Sequence, residues 1–246
     1  GRRLAALERE EASLAEAELE ALLEGVLRIT ERGERGDDAK GTAFAGAFPA
    51  NTYTFELVAT LDGLAQASQV LGVPVDPFLD RALDASCNVF LLNAVVIGPS
   101  TVVTQRPWQG FAIAMHIDDS LAAMVRRSPS EPLPRAGAAR SVAVLFLAEP
   151  SEGGQLEVYN ATPFSPKSLK QDVEAFVAHA CRQEDVHCAA AAADVALAGA
   201  TLGRLEPRRG RLARFDGAYA HAVRRLGSGS PLRVSLVLEQ FAYPEA

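Results

Sequence analysis

The second half of the chain consists of short apolar runs separated by turn residues, a pattern typical of a β-rich fold. These runs are rich in β-branched and aromatic residues, and Gly or Pro marks their boundaries. They are CNVFLLNAVVIG (87–98), GFAIAMHID (110–118), RSVAVLFLAEP (140–150), GGQLEVYN (153–160), GRLARFDG (210–217) and PLRVSLVLEQF (231–241). So many short strands with turns between them predict a β-sandwich or β-barrel.

The first third of the chain has a helical period instead. Residues 3–32 are rich in Ala, Leu and Glu, and their apolar residues recur three and four apart, which predicts one or two amphipathic helices. Residues 54–72 also have a helical pattern that stops at Gly72 and Pro74, and a short helix is expected from about Asp76 to Ala85. We therefore expect an N-terminal helical support region at 1–86.

Residues 161–205 interrupt the strand pattern with helix-forming sequence. We interpret them as a helical insertion between two late strands of a β core at 87–246. The whole chain, 246 residues long, is then expected to form a single compact domain. Long insertions often cover active sites, so two hypotheses stay open for this segment: a lid over a pocket, or a helix pair that extends the scaffold.

Composition limits the classes of binding partner and the cellular compartment that the sequence favours. The net charge of −7 argues against a general affinity for the nucleic acid backbone and leaves a small or cationic substrate open. No apolar run is long enough to span a membrane. The cysteines number three and include no C-x-x-C pair, which argues against a disulfide framework and favours a reducing intracellular compartment. A removed targeting segment and the oligomeric state stay open.

Candidate chemistry begins in the stretch AMHIDDS (114–120). Side chains alternate between the two faces of a strand, so His116 and Asp118 share a face with the small residues Ala112 and Ala114. The opposite face is wholly apolar and consists of Phe111, Ile113, Met115 and Ile117. Two potential ligands at the end of a small-residue face are expected to converge on one metal. The alternative is a strand-end histidine beside a turn carboxylate.

A third ligand must come from a distant part of the chain, and His221 is the candidate because it lies between two late strands. Two histidines and one carboxylate on one face of an iron leave coordination positions open, as in the non-haem Fe(II) oxygenases. Asp119 is expected to be a turn residue or to support the ligands from behind.

The last predicted strand carries a second group of polar residues. Arg233, Ser235, Val237 and Glu239 share one face, while the opposite face is apolar. An arginine and a serine two residues apart can bind a carboxylate together, because the guanidinium donates a two-pronged pair of hydrogen bonds and the hydroxyl adds one more. The alternative is an arginine at the rim in a weak surface ion pair.

In the order of these motifs, residues from about 89 to 243 resemble the Fe(II)/2-oxoglutarate-dependent dioxygenases, and within them the prolyl-4-hydroxylase-like group. His116 and Asp118 match the H-x-D motif of that family, EGGQLEVYN (152–160) matches its Gly-Gly strand, and His221 matches its distal histidine. Arg233 with Ser235 matches its carboxylate clamp. A departure is Ile113, because family members often carry an aromatic residue there.

The resemblance implies a double-stranded β-helix, also called a jelly roll, supported by helices. It implies that His116, Asp118 and His221 hold Fe(II), and that Arg233 and Ser235 bind the far carboxylate of the cosubstrate 2-oxoglutarate. Reaction with O2, with ascorbate as a further reductant in some members, would oxidise an unactivated C–H bond of a small-molecule or peptide substrate and release succinate and CO2. Asp118 argues against a halogenase. Hydroxylation and desaturation both stay open.

Two other functions are compatible with a jelly roll: a non-catalytic binding module, and a cupin-like metalloenzyme that does not use 2-oxoglutarate. The filled ligand positions argue against the first, and Arg233 with Ser235 argues against the second. A zinc site is an alternative use of His179, Cys181, His187 and Cys188, although their spacing fits no common zinc motif. Trp108 is expected in the core or, alternatively, at a substrate wall, and Arg224 and Arg225 are expected in solvent or at an anionic substrate.

Overall fold

Two antiparallel β-sheets face each other, with helices on their outer sides. The structure, a computed structural model, describes residues 8–11, 14–34, 42–43, 51–54, 67–69, 71–118, 138–160, 166–182 and 185–242. The strands are β1 (Glu8–Glu11), β2 (Thr42–Ala43), β3 (Asn51–Thr54), β4 (Val89–Ile97), β5 (Phe111–His116), β6 (Ser141–Ala148), β7 (Leu156–Tyr159), β8 (Thr201–Leu205), β9 (Arg211–Phe215), β10 (Ala220–Arg224) and β11 (Arg233–Phe241). The helices are α1 (Glu16–Glu34), α2 (Asp76–Ala82), α3 (Pro166–Ala180) and α4 (Val186–Ala198).

The strand order confirms the predicted jelly roll. The larger sheet has the order β1-β9-β6-β11-β4-β3-β2, and the smaller sheet has the order β5-β10-β7-β8. Strands β4 to β11 divide equally between the sheets, and successive strands change sheet except at β7 and β8. This alternation makes two interleaved β layers whose inner faces enclose one apolar interior.

The N-terminal region differs from the helices predicted for it. Residues 8–11, inside the predicted helix 3–32, form β1 and pair with β9 at the edge of the larger sheet. Backbone hydrogen bonds at this open sheet edge outweigh the local helical propensity of Glu-rich sequence. The helix itself is confirmed from Glu16 to Glu34, where Leu19, Leu22 and Val26 are buried against the outer face of the larger sheet.

The second predicted helix, 54–72, is partly outside the described residues. Residues 67–69 and 71 are helical, but 51–54 form β3, which pairs with β4. The third predicted helix is confirmed as α2, at Asp76–Ala82. Because β1, β2 and β3 join the larger sheet, the N-terminal region is less purely helical than expected. The boundary at residue 86 stays a prediction.

The predicted insertion, 161–205, contains two helices and then a strand. Helices α3 and α4 form a hairpin, and residues 201–205 form β8, which pairs with β7. The hairpin packs on the outer face of the smaller sheet, where Val173, Val177 and Ala193 contact a cluster that includes Phe111 and Met115. This placement favours the scaffold hypothesis over the lid, because the described hairpin residues lie on the side away from the inter-sheet space.

Trp108 belongs to the same outer cluster. It is fully buried, and its indole Nε1–H donates a hydrogen bond to Glu174 at 3.0 Å. Core packing is therefore its role, and the substrate-wall alternative is wrong. Within the described part of the chain, each helix is too short or too polar to cross a membrane.

The cysteines depart from the expectation of no disulfide. Cys181 and Cys188 form a disulfide bond across the turn between α3 and α4. Sequence spacing alone did not reveal this pair, since only the helical hairpin brings the two thiols together. Cys87 is a buried free thiol, and burial, followed by the charge of Asp84, raises its pKa to about 11.

A buried ion-pair network fixes the hairpin to the smaller sheet. The Glu157 side chain is fully buried and pairs with Arg224 at 2.8 Å and with Arg204, and it accepts a hydrogen bond from the Tyr159 hydroxyl at 2.6 Å. Arg224 also pairs with Asp194 of α4. Arg224 therefore joins the sheet to the hairpin and is largely shielded from solvent, contrary to the first expectation for it, whereas its contact with an anionic substrate stays a prediction.

We expect Glu157→Gln to destabilise the fold by about 3 kcal/mol, because breaking a buried pair leaves charged partners uncompensated. Burial raises the pKa of Glu157, but its hydrogen bonds from Arg224 and Tyr159 and the arginine charges outweigh this and hold the pKa below the usual 4.5. The stability it contributes is therefore fully present above pH 4.5 and is lost as pH falls through the lower folded-state pKa. Urea unfolding at pH 7 measures the loss of stability in Glu157→Gln. Urea unfolding at a series of pH values below 4.5 measures how the contribution of Glu157 disappears in acid. An unchanged acid midpoint in Glu157→Gln would contradict the network's role.

Candidate metal and cofactor site

Two neighbouring strands of the smaller sheet carry the two candidate histidines. His116 ends β5, His221 is the second residue of β10, and the two are direct cross-strand partners. Their imidazole centroids lie 4.2 Å apart. A pairing of two strands distant in sequence therefore produces the convergence that the H-x-D pattern predicts.

The predicted alternation of β5 side chains between an apolar face and a ligand-bearing face is confirmed only in part. Phe111, Met115 and Ile117 pack against the helical hairpin, as expected for the apolar face. Ile113 instead joins Ala112 in the interior between the sheets. The reason is two register shifts in the β5–β10 pairing, which add residues on β5 and break its strict period of two.

Asp118 completes a group of three potential ligands with the histidines. Its Oδ1 lies 3.6 Å from His116 Nε2, and its Oδ2 lies 3.4 Å from His221 Nε2. The three candidate ligand atoms all lie within 4.8 Å of one another. Asp118 Oδ2 is buried and accepts no hydrogen bond from the described residues. Such a buried acceptor fits a cation held between the three side chains.

The hydrogen bonds of the imidazoles also suit metal binding. His116 Nδ1 lies 2.8 Å from the carbonyl oxygen of Ala114, and His221 Nδ1 lies 3.4 Å from that of Tyr219. A neutral imidazole that donates from Nδ1 to a carbonyl has its lone pair on Nε2. In both histidines, Nε2 is the atom directed at Asp118.

Electrostatics keeps the ligands in their binding forms. Burial lowers the pKa of His221 to about 4, so this imidazole is neutral at pH 7. Burial opposes ionisation of Asp118, but the facing imidazoles of His221 and His116 outweigh it and hold the pKa of Asp118 below its ordinary value. A neutral His221 imidazole and an ionised Asp118 carboxylate are the forms in which an Fe(II) site of the facial-triad type uses these two ligands.

Arg233 and Ser235 lie on the inner face of β11, as the alternation predicts. Arg233 is 2% exposed, and its guanidinium has no hydrogen bond or ion pair with the described residues; it lies over the ring of Phe146 at 5.0 Å. Ser235 is fully buried, and its Oγ has no hydrogen-bond partner among them. Burial lowers the pKa of Arg233 to about 9. A buried cation beside a buried hydroxyl is suited to an anionic ligand.

The Gly-Gly turn that precedes β7 helps to position Arg233. Gly153 and Gly154 adopt positive φ angles of 79° and 73°. A Cβ atom on Gly153 would lie 2.2 Å from the carbonyl oxygen of Arg225, and one on Gly154 would lie 3.1 Å from Cδ of Arg233. Glycine is therefore required here both for the backbone conformation and for the close approach of the arginine stem.

Aromatic supports of the site were not predicted. The ring of Phe215 lies 4.9 Å from that of His221, and Phe146 lies beneath Arg233. Both belong to runs of mostly apolar residues, so no local signal distinguishes them from other core residues. Asn93 and Glu239 form a third unpredicted feature, a buried hydrogen bond of 2.7 Å between β4 and β11.

Several other residues singled out in the sequence lie elsewhere. His179 and His187 are exposed on the hairpin, and the neighbouring cysteines are joined in the disulfide, so the zinc alternative is not supported. Arg225 is exposed. Asp119 lies outside the described residues. Among the residues that are described, His116, Asp118 and His221 are the one group whose ligand atoms converge in this way.

Searches with the sequence find no matching protein-family model and no matching curated protein. The structure is similar to that of a prolyl-4-hydroxylase from Pseudomonas putida, with a TM-score of 0.49, 16% identity, and coverage of 98% of this chain and 94% of that one. It is also similar to the dioxygenase for auxin oxidation 1 from Arabidopsis thaliana, with a TM-score of 0.49, 10% identity and coverage of 98% and 85%. A third similar structure is that of an N-substituted L-amino acid dioxygenase from Burkholderia ambifaria, with a TM-score of 0.48, 15% identity, and coverage of 96% of this chain and 86% of that one.

Proposed function

We propose that the protein is an Fe(II)- and 2-oxoglutarate-dependent dioxygenase that oxidises a C–H bond of a small molecule or a protein side chain. One observation carries the proposal: a triad of metal-ligand type and a buried arginine with no anionic partner among the described residues occur in the interior of the same jelly roll. The triad alone fits several metalloenzymes. The buried Arg233 adds a specific requirement, a small anionic ligand next to the metal.

Each residue has a separate role in this proposal. His116, Asp118 and His221 would hold the Fe(II) ion. Arg233 and Ser235 bind the distal carboxylate of 2-oxoglutarate and thereby fix the orientation of its keto acid toward the metal. When bound, the iron and 2-oxoglutarate together supply the oxidising power for C–H cleavage. The apolar interior around Phe215 and Phe146 excludes water from the reacting groups.

The two alternative functions, a cupin-like enzyme and a non-catalytic binding module, explain less of the site. A cupin-like enzyme that does not use 2-oxoglutarate has no need for a buried, unpaired arginine, and burying such a group without a ligand destabilises the fold. A non-catalytic binding module has no need for two histidines whose Nε2 atoms face one carboxylate. Hydroxylation and desaturation are equally compatible with the site.

The direct test is 2-oxoglutarate turnover by the anaerobically purified protein supplied with Fe(II) and then exposed to O2. Succinate should form even without a substrate, at a slow uncoupled rate, and should not form when Fe(II) or O2 is omitted. A cupin-like enzyme would bind the metal but release no succinate. A non-catalytic binding module would neither bind the metal nor release succinate. The result expected of the cupin-like enzyme and the result expected of the binding module would each overturn the proposal.

A further inference from the structure

The disulfide bond between Cys181 and Cys188 joins a buried residue to an accessible one. Cys181 directly follows α3 and is 8% exposed, whereas Cys188 is the third residue of α4 and is partly exposed. The bond lies at the turn of the hairpin, on the outer side of the smaller sheet. A thiol reduces a disulfide by attacking a sulfur that it can reach, so an exposed disulfide is more labile than a buried one. Cys188 is therefore the end of this bond that a reductant can attack.

The hairpin has contacts of its own that hold it when the disulfide is open. Asp185 caps α4, because its Oδ1 accepts a hydrogen bond from the backbone N–H of Cys188 at 2.9 Å. Val173 and Val177 of α3 and Ala193 of α4 are buried in the outer cluster. An apolar interface of this kind does not depend on a covalent link. Reduction is thus expected to loosen the turn and to leave the two helices folded on the sheet.

The hairpin is linked to the strand that carries His116. Arg106 and Trp108 lie in the segment that leads into β5, and each has a hydrogen bond to the hairpin. Arg106 Nη2 donates to the carbonyl oxygen of Cys181 at 3.1 Å, and Trp108 Nε1 donates to Glu174 of α3 at 3.0 Å. The first of these bonds ends on a cysteine of the disulfide. Opening the disulfide lets this carbonyl move, and it therefore loosens one anchor of the segment before β5.

The strand that carries His221 is linked to the same hairpin. Arg224, the last residue of β10, pairs with Asp194 of α4. It also lies over the ring of Phe111, the first residue of β5, at 4.3 Å. Both histidine strands thus rest on one helical hairpin, and His116 and His221 are cross-strand partners. A change in the hairpin therefore reaches both imidazoles, whose relative position determines how well they hold a metal.

We propose that Cys181 and Cys188 form a redox-active disulfide, reducible at Cys188 by a dithiol, and that its reduction weakens metal binding by the triad. One thiolate of the dithiol attacks Cys188 Sγ, the bond between Cys181 and Cys188 breaks, and the Cys181 sulfur takes up a proton. The second thiolate of the dithiol then displaces Cys188, whose sulfur also takes up a proton. The two cysteines together gain two electrons and two protons, and the dithiol becomes a cyclic disulfide.

The effect on the metal rests on the proposed function, because it requires that the triad holds a metal. Coupling between two separate sites commonly changes affinity by about 5- to 150-fold, so the reduced protein should bind a divalent metal at least about fivefold more weakly than the oxidised protein. Coupling of binding equilibria is reciprocal, and saturating metal should disfavour reduction by the same factor. A fivefold change corresponds to a shift of about 20 mV in the reduction midpoint.

The experiment measures both directions of this coupling on the folded protein. Samples are equilibrated with mixtures of reduced and oxidised dithiothreitol, with and without saturating Mn(II), and alkylation followed by mass spectrometry gives the reduced fraction. Calorimetry gives the Mn(II) affinity of the oxidised and the fully reduced protein after dithiothreitol has been removed under argon. We expect a loss of Mn(II) affinity of at least about fivefold on reduction, and a matching shift toward the disulfide form when Mn(II) is present.

The cysteines of the chain provide the controls. Cys87→Ala removes the buried thiol outside the hairpin and should respond to dithiothreitol like the parent. The double variant Cys181→Ser with Cys188→Ser cannot form the disulfide. It should bind Mn(II) like the reduced parent, both before and after treatment with dithiothreitol.

Four outcomes would overturn the inference. They are a disulfide that resists the most reducing mixture until the protein unfolds, equal Mn(II) affinities of the two redox forms, a lost response in Cys87→Ala, and a remaining response in the double serine variant. Loss of the cooperative melting transition on reduction would also overturn it, because the bond would then be a structural staple. If the oxidised parent bound no Mn(II), the proposed function would fail as well. If both redox forms bound Mn(II) equally, only the redox inference would fail.

Discussion

Replacing His221 with alanine is expected to lower the affinity for a divalent metal by more than about a hundredfold. Residues that merely support metal ligands already change affinity about 10- to 100-fold, and His221 is proposed to be a ligand itself. Among the described residues, His116 and Asp118 are the other members of the group, so none of these residues replaces the buried Nε2 of His221. The same loss is expected for His116→Ala, and both variants should release no succinate from 2-oxoglutarate.

The matched controls for these variants are the other two histidines of the chain. His179→Ala and His187→Ala alter exposed side chains on the helical hairpin and should bind metal like the parent. Mn(II) binding is followed by calorimetry and by the rise in melting temperature. A metal at 100 times its Kd stabilises the fold by about 2.7 kcal/mol, and the triad variants should lose this gain. If His221→Ala retained the metal-dependent rise, the triad assignment would be wrong.

The jelly roll could be predicted because its signals are local and repeated. Each core strand is an apolar run with a turn residue at its boundary, and the inward positions of β11 follow the period of two. The convergence of the three candidate ligands could be predicted because an H-x-D motif occurs at a strand end and a distal histidine lies between two late strands. Sequence order does not give the distances, which depend on the pairing of β5 with β10.

Features that depend on tertiary pairing were missed. The segment Glu8–Glu11 has a helical composition, yet it forms a strand because the edge of β9 offers backbone partners. Ile113 turns inward because of the register shifts in β5, which no hydrophobic pattern reveals. The hairpin between β7 and β8 was recognised as helical, but its place outside the smaller sheet follows from the apolar outer cluster around Trp108.

The hydrogen-bond partners of the polar interior residues also could not be predicted from the sequence. The sequence placed Glu239 on the face of Arg233 and Ser235, but it gave no partner for the carboxylate. Asn93 lies in an apolar run whose other inward residues are Val89, Leu91, Val95 and Ile97, so its importance appears only when β4 pairs with β11. A single polar residue in such a run is a signal worth testing, because burial of an amide without a partner is costly.

Replacing Arg233 with alanine is expected to weaken 2-oxoglutarate binding by at least about thirtyfold. Truncating one partner of a buried, charge-assisted pair costs roughly 2–5 kcal/mol, and about 1.4 kcal/mol corresponds to a tenfold change. Arg233→Lys should recover part of the affinity, since lysine keeps the charge but loses the two-pronged geometry. Metal affinity should change little in either variant, because Arg233 is not in the triad. The measurement is a titration of 2-oxoglutarate into the anaerobic Fe(II) protein, followed by its charge-transfer absorption.

Stability without 2-oxoglutarate provides a second, independent readout for Arg233. Burial without an anionic partner among the described residues lowers its pKa to about 9, so the ligand-free fold holds a destabilising cation. Arg233→Met, which fills similar space without charge, should therefore raise the melting temperature of the ligand-free protein and remove the further rise on adding 2-oxoglutarate. The exposed Arg225→Met is the matched control and should behave like the parent. If Arg233→Ala binds 2-oxoglutarate as tightly as the parent, the arginine does not hold the cosubstrate, and the cupin-like alternative becomes the better account of the metal group.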